Sequence, residues 1–223
     1  MEYPIVLPWT DSSFFAFLYS FLEERKIPIR GVLHVGAHTC EEKVEYNSRG
    51  IADENILWIE GNPELAEANR QKGVKNMHTY LISDSDKEVT FHITNFKASS
   101  SLFPLYVHKH FYPHIVEVEQ QKHNAISLKS FFTKVEKNPQ DYNLWSLDIQ
   151  GGEFDALKGA GDILDTVDVI FTEVNFELMY ESIPLFGTLE GFLREKGFRL
   201  THVKIWQKCW GDALFVKEKY LNN

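Results

Sequence analysis

IRGVLHVGAHTCEE, residues 29–42, holds the reading that decides the fold. Its first half is a short apolar run rich in branched side chains, the pattern of a strand buried on both faces. The run stops at Gly36, and a helix is expected from about residue 39 to 49, closed near Gly50. The same step recurs downstream. ENILWIEGNP (54–63) reads as a second strand and a turn, and Pro63 suits the first turn of the helix ELAEANRQKG (64–73). NMHTYLIS (76–83) is a third strand. KEVTFHIT (87–94) alternates and reads as a fourth, an antiparallel hairpin partner being one option.

Beyond an irregular stretch the alternation resumes. SLKSFFTKV (127–135) is helical, NLWSLDIQGGE (143–153) is a buried strand ending in an acidic loop, and FDALKGAGDIL (154–164) is a helix that breaks around Gly159 and Gly161. VDVIFTEVN (167–175) is a strand, LFGTLEGFLREKG (185–197) a helix, and FRLTHVKIW and DALFVKEK a closing strand pair. Such alternation predicts an α/β fold of Rossmann-like type: a mostly parallel mixed sheet with helices on both faces and a C-terminal antiparallel pair. Residues 1–29 form a helical extension, with Phe14, Phe15, Leu18, Phe21 and Leu22 along one side, expected to pack on the core. Residues 30–223 form the main domain. Within it, 95–124 is too long and irregular for a routine connection and is expected to be a loop or lid on the substrate side.

The composition narrows the function. With 32 acidic and 23 basic residues, the net charge is -9, which argues against nonspecific nucleic-acid binding, a process dominated by phosphate attraction. No apolar run approaches the length of a membrane span. The start, MEYPIVLPWTDSS, lacks the basic and apolar regions of a secretory signal. Two cysteines, Cys40 and Cys209, are too few for a disulfide framework and point to a reducing compartment, the cytoplasm.

In sheets of this type ligands bind beyond the carboxyl ends of the strands. Gly36, Ala37 and His38 follow the first strand there. A glycine lets a ligand approach the backbone, or simply makes a tight turn. Glu60 and Gly61 follow the second strand, and an acid there can accept both ribose hydroxyls of an adenosine ligand. The loop lacks the G-x-G-x-x-G fingerprint, and Glu41 and Glu42 are expected in the first turn of the helix. Those acids oppose a pyrophosphate. S-adenosylmethionine has no phosphate and carries a cationic sulfonium, so the loop suits it better than a nicotinamide dinucleotide. Ser83 and Asp84, after the third strand, are placed to reach the adenine edge, though both are also common turn residues.

The chemistry falls to Asp148 and Glu173, each ending an apolar strand at the ligand edge. Neighbouring strands bring them together. Asp148 can take or orient the acceptor's proton while Glu173 fixes a second hydroxyl. Alternatively the pair binds Mg²⁺, the less favoured route, since only two ligands are visible. A purely structural Asp148 would tie down the Gly151–Gly152 loop. Glu153 starts the next helix, where a carboxylate is favoured by the free amides. His108, His110 and His114 are further candidates for a base, each a weak one.

Together these segments resemble the FkbM-type S-adenosylmethionine-dependent methyltransferases. HVGAHTC (34–40) is similar to that family's glycine loop, WIEGNP (58–63) to its ribose-binding segment, LDIQGGEFDALKGA (147–160) to its most recognisable stretch and FTEVN (171–175) to its next acidic strand. ISLKSFF (126–132) and GFRL (197–200) fit in order, so the likeness spans about 30–217. The resemblance implies a class I methyltransferase fold, cofactor contacts at Gly36, Glu60 and Asp84, and Asp148 and Glu173 on the acceptor side. It also implies O-methylation of a sugar or other small-molecule hydroxyl. Ser101 matches a serine common in the family's loop. His34 stands where an acid is usual, and Gln150 and Gly152 also depart from the pattern. The competing reading is a non-catalytic cofactor-binding or interaction protein on the same fold.

Overall fold

The computed structural model describes residues 5–6 and 11–221, with backbone alone for 5–6 and 11–16. Phe14 and Phe15 therefore lie outside the described side chains, and residues 1–4 and 7–10 outside the description. Among the described residues eight strands make one sheet. Its order is β1 (Ile5–Val6), β10 (Phe198–Trp206), β11 (Trp210–Lys217), β9 (Val169–Asn175), β8 (Leu144–Leu147), β2 (Val32–Val35), β3 (Ile56–Glu60) and β4 (Met77–Thr79). The central pairs β9–β8, β8–β2, β2–β3 and β3–β4 are parallel. β11 runs antiparallel to both β9 and β10.

The chain winds from β2 to β4 in one direction and from β8 to β9 in the other. The reversal falls between β2 and β8, and a crevice opens where the loops after these strands part. Their short apolar runs are buried on both faces because each face carries helices. Val32 and Trp58 point to one side, where they meet Leu18, Tyr19 and Leu22 of α1 (Asp11–Glu24), Tyr46 of α2 (Lys43–Ser48) and Ala66 of α3 (Pro63–Gln71). Leu33 and Trp145 point to the other, against Phe131 of α5 (Leu128–Lys134), Leu157 of α6 (Glu153–Ala160) and Leu193 of α7 (Phe186–Glu195). Asn62 caps α3 through the amides of Glu64 and Leu65, with Pro63 at its start.

The structure differs from the sequence reading in three places. The run 76–83 is not one strand: it breaks at Tyr80, and β5 (Leu81–Ile82) passes into a second, three-stranded sheet. β6 (Lys87–Thr94) pairs antiparallel with β7 (Glu117–Ile126), not with the strand before it. The stretch 95–124 is thus not irregular throughout, since α4 (His108–Phe111) and most of β7 lie in it. β7 escapes pattern reading because EVEQQKH shows almost no apolar period and is largely exposed. Finally, α2 begins at Lys43, because His38 and Cys40 adopt φ of 42° and 59°. Glu41 and Glu42 lie in the turn before it.

Candidate active site

A cavity of about 590 Å³ lies beyond the carboxyl ends of β2, β3, β8 and β9. Gly36, Ala37 and His38 wall it after β2, Glu60 and Gly61 after β3, Asp148 and Gln150 after β8, and Glu173 at the end of β9. Its carboxylates Glu41, Glu42, Glu60, Asp148, Glu173 and Asp212 outnumber its ammonium groups Lys97 and Lys204.

Gly36 has φ 93°, and a Cβ there would sit 1.7 Å from the Asp148 carbonyl oxygen. The close approach expected of a ligand is made by the backbone of the neighbouring strand. Glu60 is buried, which raises its pKa, and its oxygens accept the amides of His38 and Asn62, both at 2.7 Å. One carboxylate so fixes both loops, and each oxygen keeps a further lone pair. The Asn69 amide holds the His38 carbonyl at 2.7 Å. His34 is packed near Trp58 and its Nδ1 lies 2.9 Å from the Tyr46 hydroxyl.

Ser83 and Asp84 are not among the cavity's walls, contrary to expectation. The shift of β5 into the second sheet carries them toward α6, where the Ser83 carbonyl lies 2.3 Å from a Cβ position on Gly159. The Asp84 carboxylate meets Lys87 at 2.6 Å and Lys158 at 3.6 Å. The Lys87 hydrogen bond leads in lowering its pKa to about 2. Tyr80, Leu81 and Ile82 line the cavity in their place.

At the chemical end, carboxylate oxygens of Asp148, Glu153 and Glu173 lie within 4.8 Å of one another. Glu153 and Glu173 are enclosed, whereas Asp148 opens to the cleft. The Gln150 amide nitrogen donates to Asp148 Oδ1 at 2.7 Å and to Glu173 Oε2 at 3.1 Å. Its oxygen accepts the Tyr180 hydroxyl at 2.5 Å, and its carbonyl accepts the Ser101 hydroxyl at 2.6 Å. Gln150 is the residue sequence reasoning missed: it registered only as a departure from a pattern. The loop tie considered for Asp148 belongs to Glu153, which accepts the amides of Ile149 at 2.8 Å and Gly151 at 3.1 Å.

Three carboxyls so close cannot all ionise freely. Burial is the first cause in each case. It lifts Glu173 well above the ordinary range, with the charges of Asp148 and Glu153 adding. Asp148 opens to the cleft, but the protein packed around its inner side removes enough water to raise it too, with the Gln150 hydrogen bond opposing and Glu42 adding. Burial raises Glu153 from 4.5 to about 7. A raised acid favours folding below its unfolded pKa, and that contribution is lost as pH rises through the folded pKa. For Glu153 the window is therefore 4.5 to about 7, a loss on the order of 3 kcal/mol. Urea unfolding at pH 5 and 7 should show a flatter pH dependence in Glu153→Gln than in the parent; equal slopes would mean that Glu153 titrates normally.

A second chamber of about 270 Å³ shares Asp148, Gln150 and Glu173 with the first cavity. Of the three loop histidines, His108 lines it, while His110 and His114 line neither cavity.

A parallel sheet reversing between β2 and β8, with a glycine turn, an acid after the second strand and an acidic floor, defines a Rossmann-like S-adenosylmethionine-dependent methyltransferase. Residues 33–200 match the methyltransferase FkbM domain, and the chain belongs to that family. Among solved structures it is similar to the magnesium protoporphyrin IX methyltransferase of Synechocystis with bound S-adenosylmethionine. That match has 8% identity and a TM-score of 0.46, covering 93% of this chain and 77% of that one. A methyltransferase from Aquifex aeolicus gives 11% identity and a TM-score of 0.37, covering 93% and 98%. No curated protein matches the chain.

Proposed function

We propose that the chain methylates a hydroxyl of a sugar or other small molecule, with the acceptor held over Asp148. The observation that carries this reading is the Asp148 carboxylate, open to the cleft and fixed by Gln150 where the two cavities meet. Bound in the larger cavity, S-adenosylmethionine supplies an electrophilic methyl on a cationic sulfur, a charge that suits the acidic walls. Glu60 takes the ribose hydroxyls on its remaining lone pairs. Gly36, Ala37, His38 and Gly61 shape the backbone around the cofactor. The cofactor so held would give its methyl to the acceptor oxygen, the electron pair of the carbon–sulfur bond staying on sulfur. Asp148 receives the hydroxyl proton, and Glu173 orients the acceptor through a second polar contact. Most of the acceleration comes from holding the oxygen in line.

The donor set bears on the Mg²⁺ alternative. The Gln150 amide hydrogens point at both Asp148 and Glu173, and Glu153 faces backbone amides. Such donors suit carboxylates that share protons better than carboxylates that share a cation. The segment 95–124 supplies the acceptor-side wall through Phe96, Ala98, Ser101 and His108. Among the described residues no helix is long and apolar enough to cross a membrane. Cys40 and Cys209 are free and buried, which supports the cytoplasm as the compartment.

Calorimetry tests the cofactor half. S-adenosylhomocysteine should bind in the micromolar range or tighter, on the order of -8 kcal/mol, with no measurable NAD binding. Glu60→Ala should weaken it at least tenfold, since charge-assisted hydrogen bonds are worth roughly 1.5–3 kcal/mol each. A thermal melt on the same variant reads the loss of the His38 and Asn62 contacts separately. Tighter binding of NAD would overturn the reading. Bound S-adenosylhomocysteine with no methyl transfer to any hydroxyl acceptor would favour the non-catalytic alternative.

A further inference from the structure

Away from its junction with the cofactor cavity, the smaller chamber is walled by Phe96, Tyr112, Ile115, Met179 and Tyr180, with His108 among them. A cavity of about 150 Å³ already holds benzene, so about 270 Å³ takes one substituted six-membered ring. The wall is built rather than loose. The amides of Tyr106 and His108 donate to the Met179 carbonyl at 2.9 and 3.2 Å, and Leu105 bridges to Tyr180.

The polar groups sit in a pattern. At the junction stand Asp148, Gln150 and Glu173. The Tyr180 hydroxyl is engaged by Gln150 and the Ser99 carbonyl. His108 is 5% exposed, lies against Tyr112 and Tyr180 at ring distances of 4.9 and 5.7 Å, and its Nδ1 has no hydrogen-bond partner. Burial holds its pKa below the ordinary value, with His114 adding. The neutral ring it favours keeps one nitrogen as an acceptor. A fully hydroxylated hexose would bring several hydroxyls against aliphatic and aromatic walls, and each unpaired one is costly.

We propose that this chamber is the acceptor seat and that it takes a hydroxyl on a compact ring with an apolar face, a second polar group on the ring bonding to His108. The proposal rests on the reading of methyl transfer to a hydroxyl and narrows its substrate class. Phenols, cyclic alcohols and deoxygenated sugars share this chemistry; D-glucose does not.

Saturation-transfer NMR on the protein saturated with S-adenosylhomocysteine tests it without requiring turnover. Phenol, cyclohexanol and trans-cyclohexane-1,2-diol should give signals, and D-glucose none. Ile115→Trp, which fills the chamber, should abolish them. His108→Leu guards against a misfolded filler: it should weaken the diol at least fivefold more than cyclohexanol. Glucose binding as well as the ring alcohols would overturn the proposal. So would ring signals that persist in Ile115→Trp, or a diol-to-alcohol ratio unmoved by His108→Leu. Calorimetry on the same sample separates the two levels. Without S-adenosylhomocysteine binding the methyl-transfer reading falls. With it, but with no ring compound bound, the acceptor seat alone falls.

Discussion

Gly36→Ala is expected to leave no stably folded protein. The added Cβ would lie 1.7 Å from the Asp148 carbonyl oxygen and 2.7 Å from its carbon, and neither can rotate aside. The backbone on both sides is pinned. Asp148 donates to the Val35 carbonyl at 2.9 Å, and Gly36 donates to the Ile59 carbonyl at 2.9 Å. Relief would require β2 and β8 to part, at the point where the sheet reverses. The φ of 93° adds strain for any residue with a side chain, about 1–2 kcal/mol. The total should exceed about 4 kcal/mol, the range reserved for gross structural conflict. Gly50→Ala is the control: its φ is 81°, and nothing lies within 4 Å of the added atom. It should cost only the conformational strain, about 1–2 kcal/mol. Urea unfolding of both variants gives the comparison, and equal losses would show that backbone conformation, not collision, sets the need for glycine at position 36.

That glycine shows how far the sequence could be read. Its presence at a strand end was plain, because VLHV is too short and too branched for a helix of its own. Its reason was not, since the conflicting carbonyl lies 112 positions downstream and reaches it only through the pairing of β2 with β8. That Glu60, Asp148 and Glu173 would line one cleft was legible for one physical cause: strands that end at a common sheet edge deliver their last side chains to the same place. Ser83 and Asp84 obey no such rule, because their strand leaves the main sheet after Tyr80. β7 was invisible because its side chains from Glu117 to Asn124 are mostly polar and exposed, which leaves no apolar alternation to read. Gln150 was hidden more deeply. Its φ of 56° is unusual for its type, and its role depends on Tyr180, thirty positions away. Glu153 was read as a helix start, and it is one. That its carboxylate also gathers the amides of Ile149 and Gly151 follows from the tight loop that two adjacent glycines allow.

Asp148→Asn should cut turnover by about 10²-fold or more while changing the affinity for S-adenosylhomocysteine by no more than about twofold. The substitution keeps the shape, and an amide oxygen can still accept from Gln150, but it cannot take a proton. A structural role would produce the opposite pair of results: near-normal turnover per folded molecule, with stability and cofactor affinity falling together. The pH profile sharpens the distinction. Burial raises the pKa of Glu173, and the protein packed around the inner side of Asp148 raises that of Asp148 although its carboxylate opens to the cleft, so the ionised base is lost at a higher pH than for an ordinary carboxyl. In the parent enzyme kcat should therefore fall as pH drops through that raised range and recover above it. Asp148→Asn should lack this limb. Chelation then decides between a proton sink and a cation. With Gln150 donating to both carboxylates, activity should survive exhaustive EDTA treatment. Activity that disappears with EDTA and returns with Mg²⁺ would replace the proton-sharing pair with a metal site, and Asp148→Asn should then also abolish Mg²⁺ binding. If instead Asp148→Asn turns over at the parent rate on the true acceptor, the proton leaves by another route, and His108 on the far wall of the chamber is the next group to change.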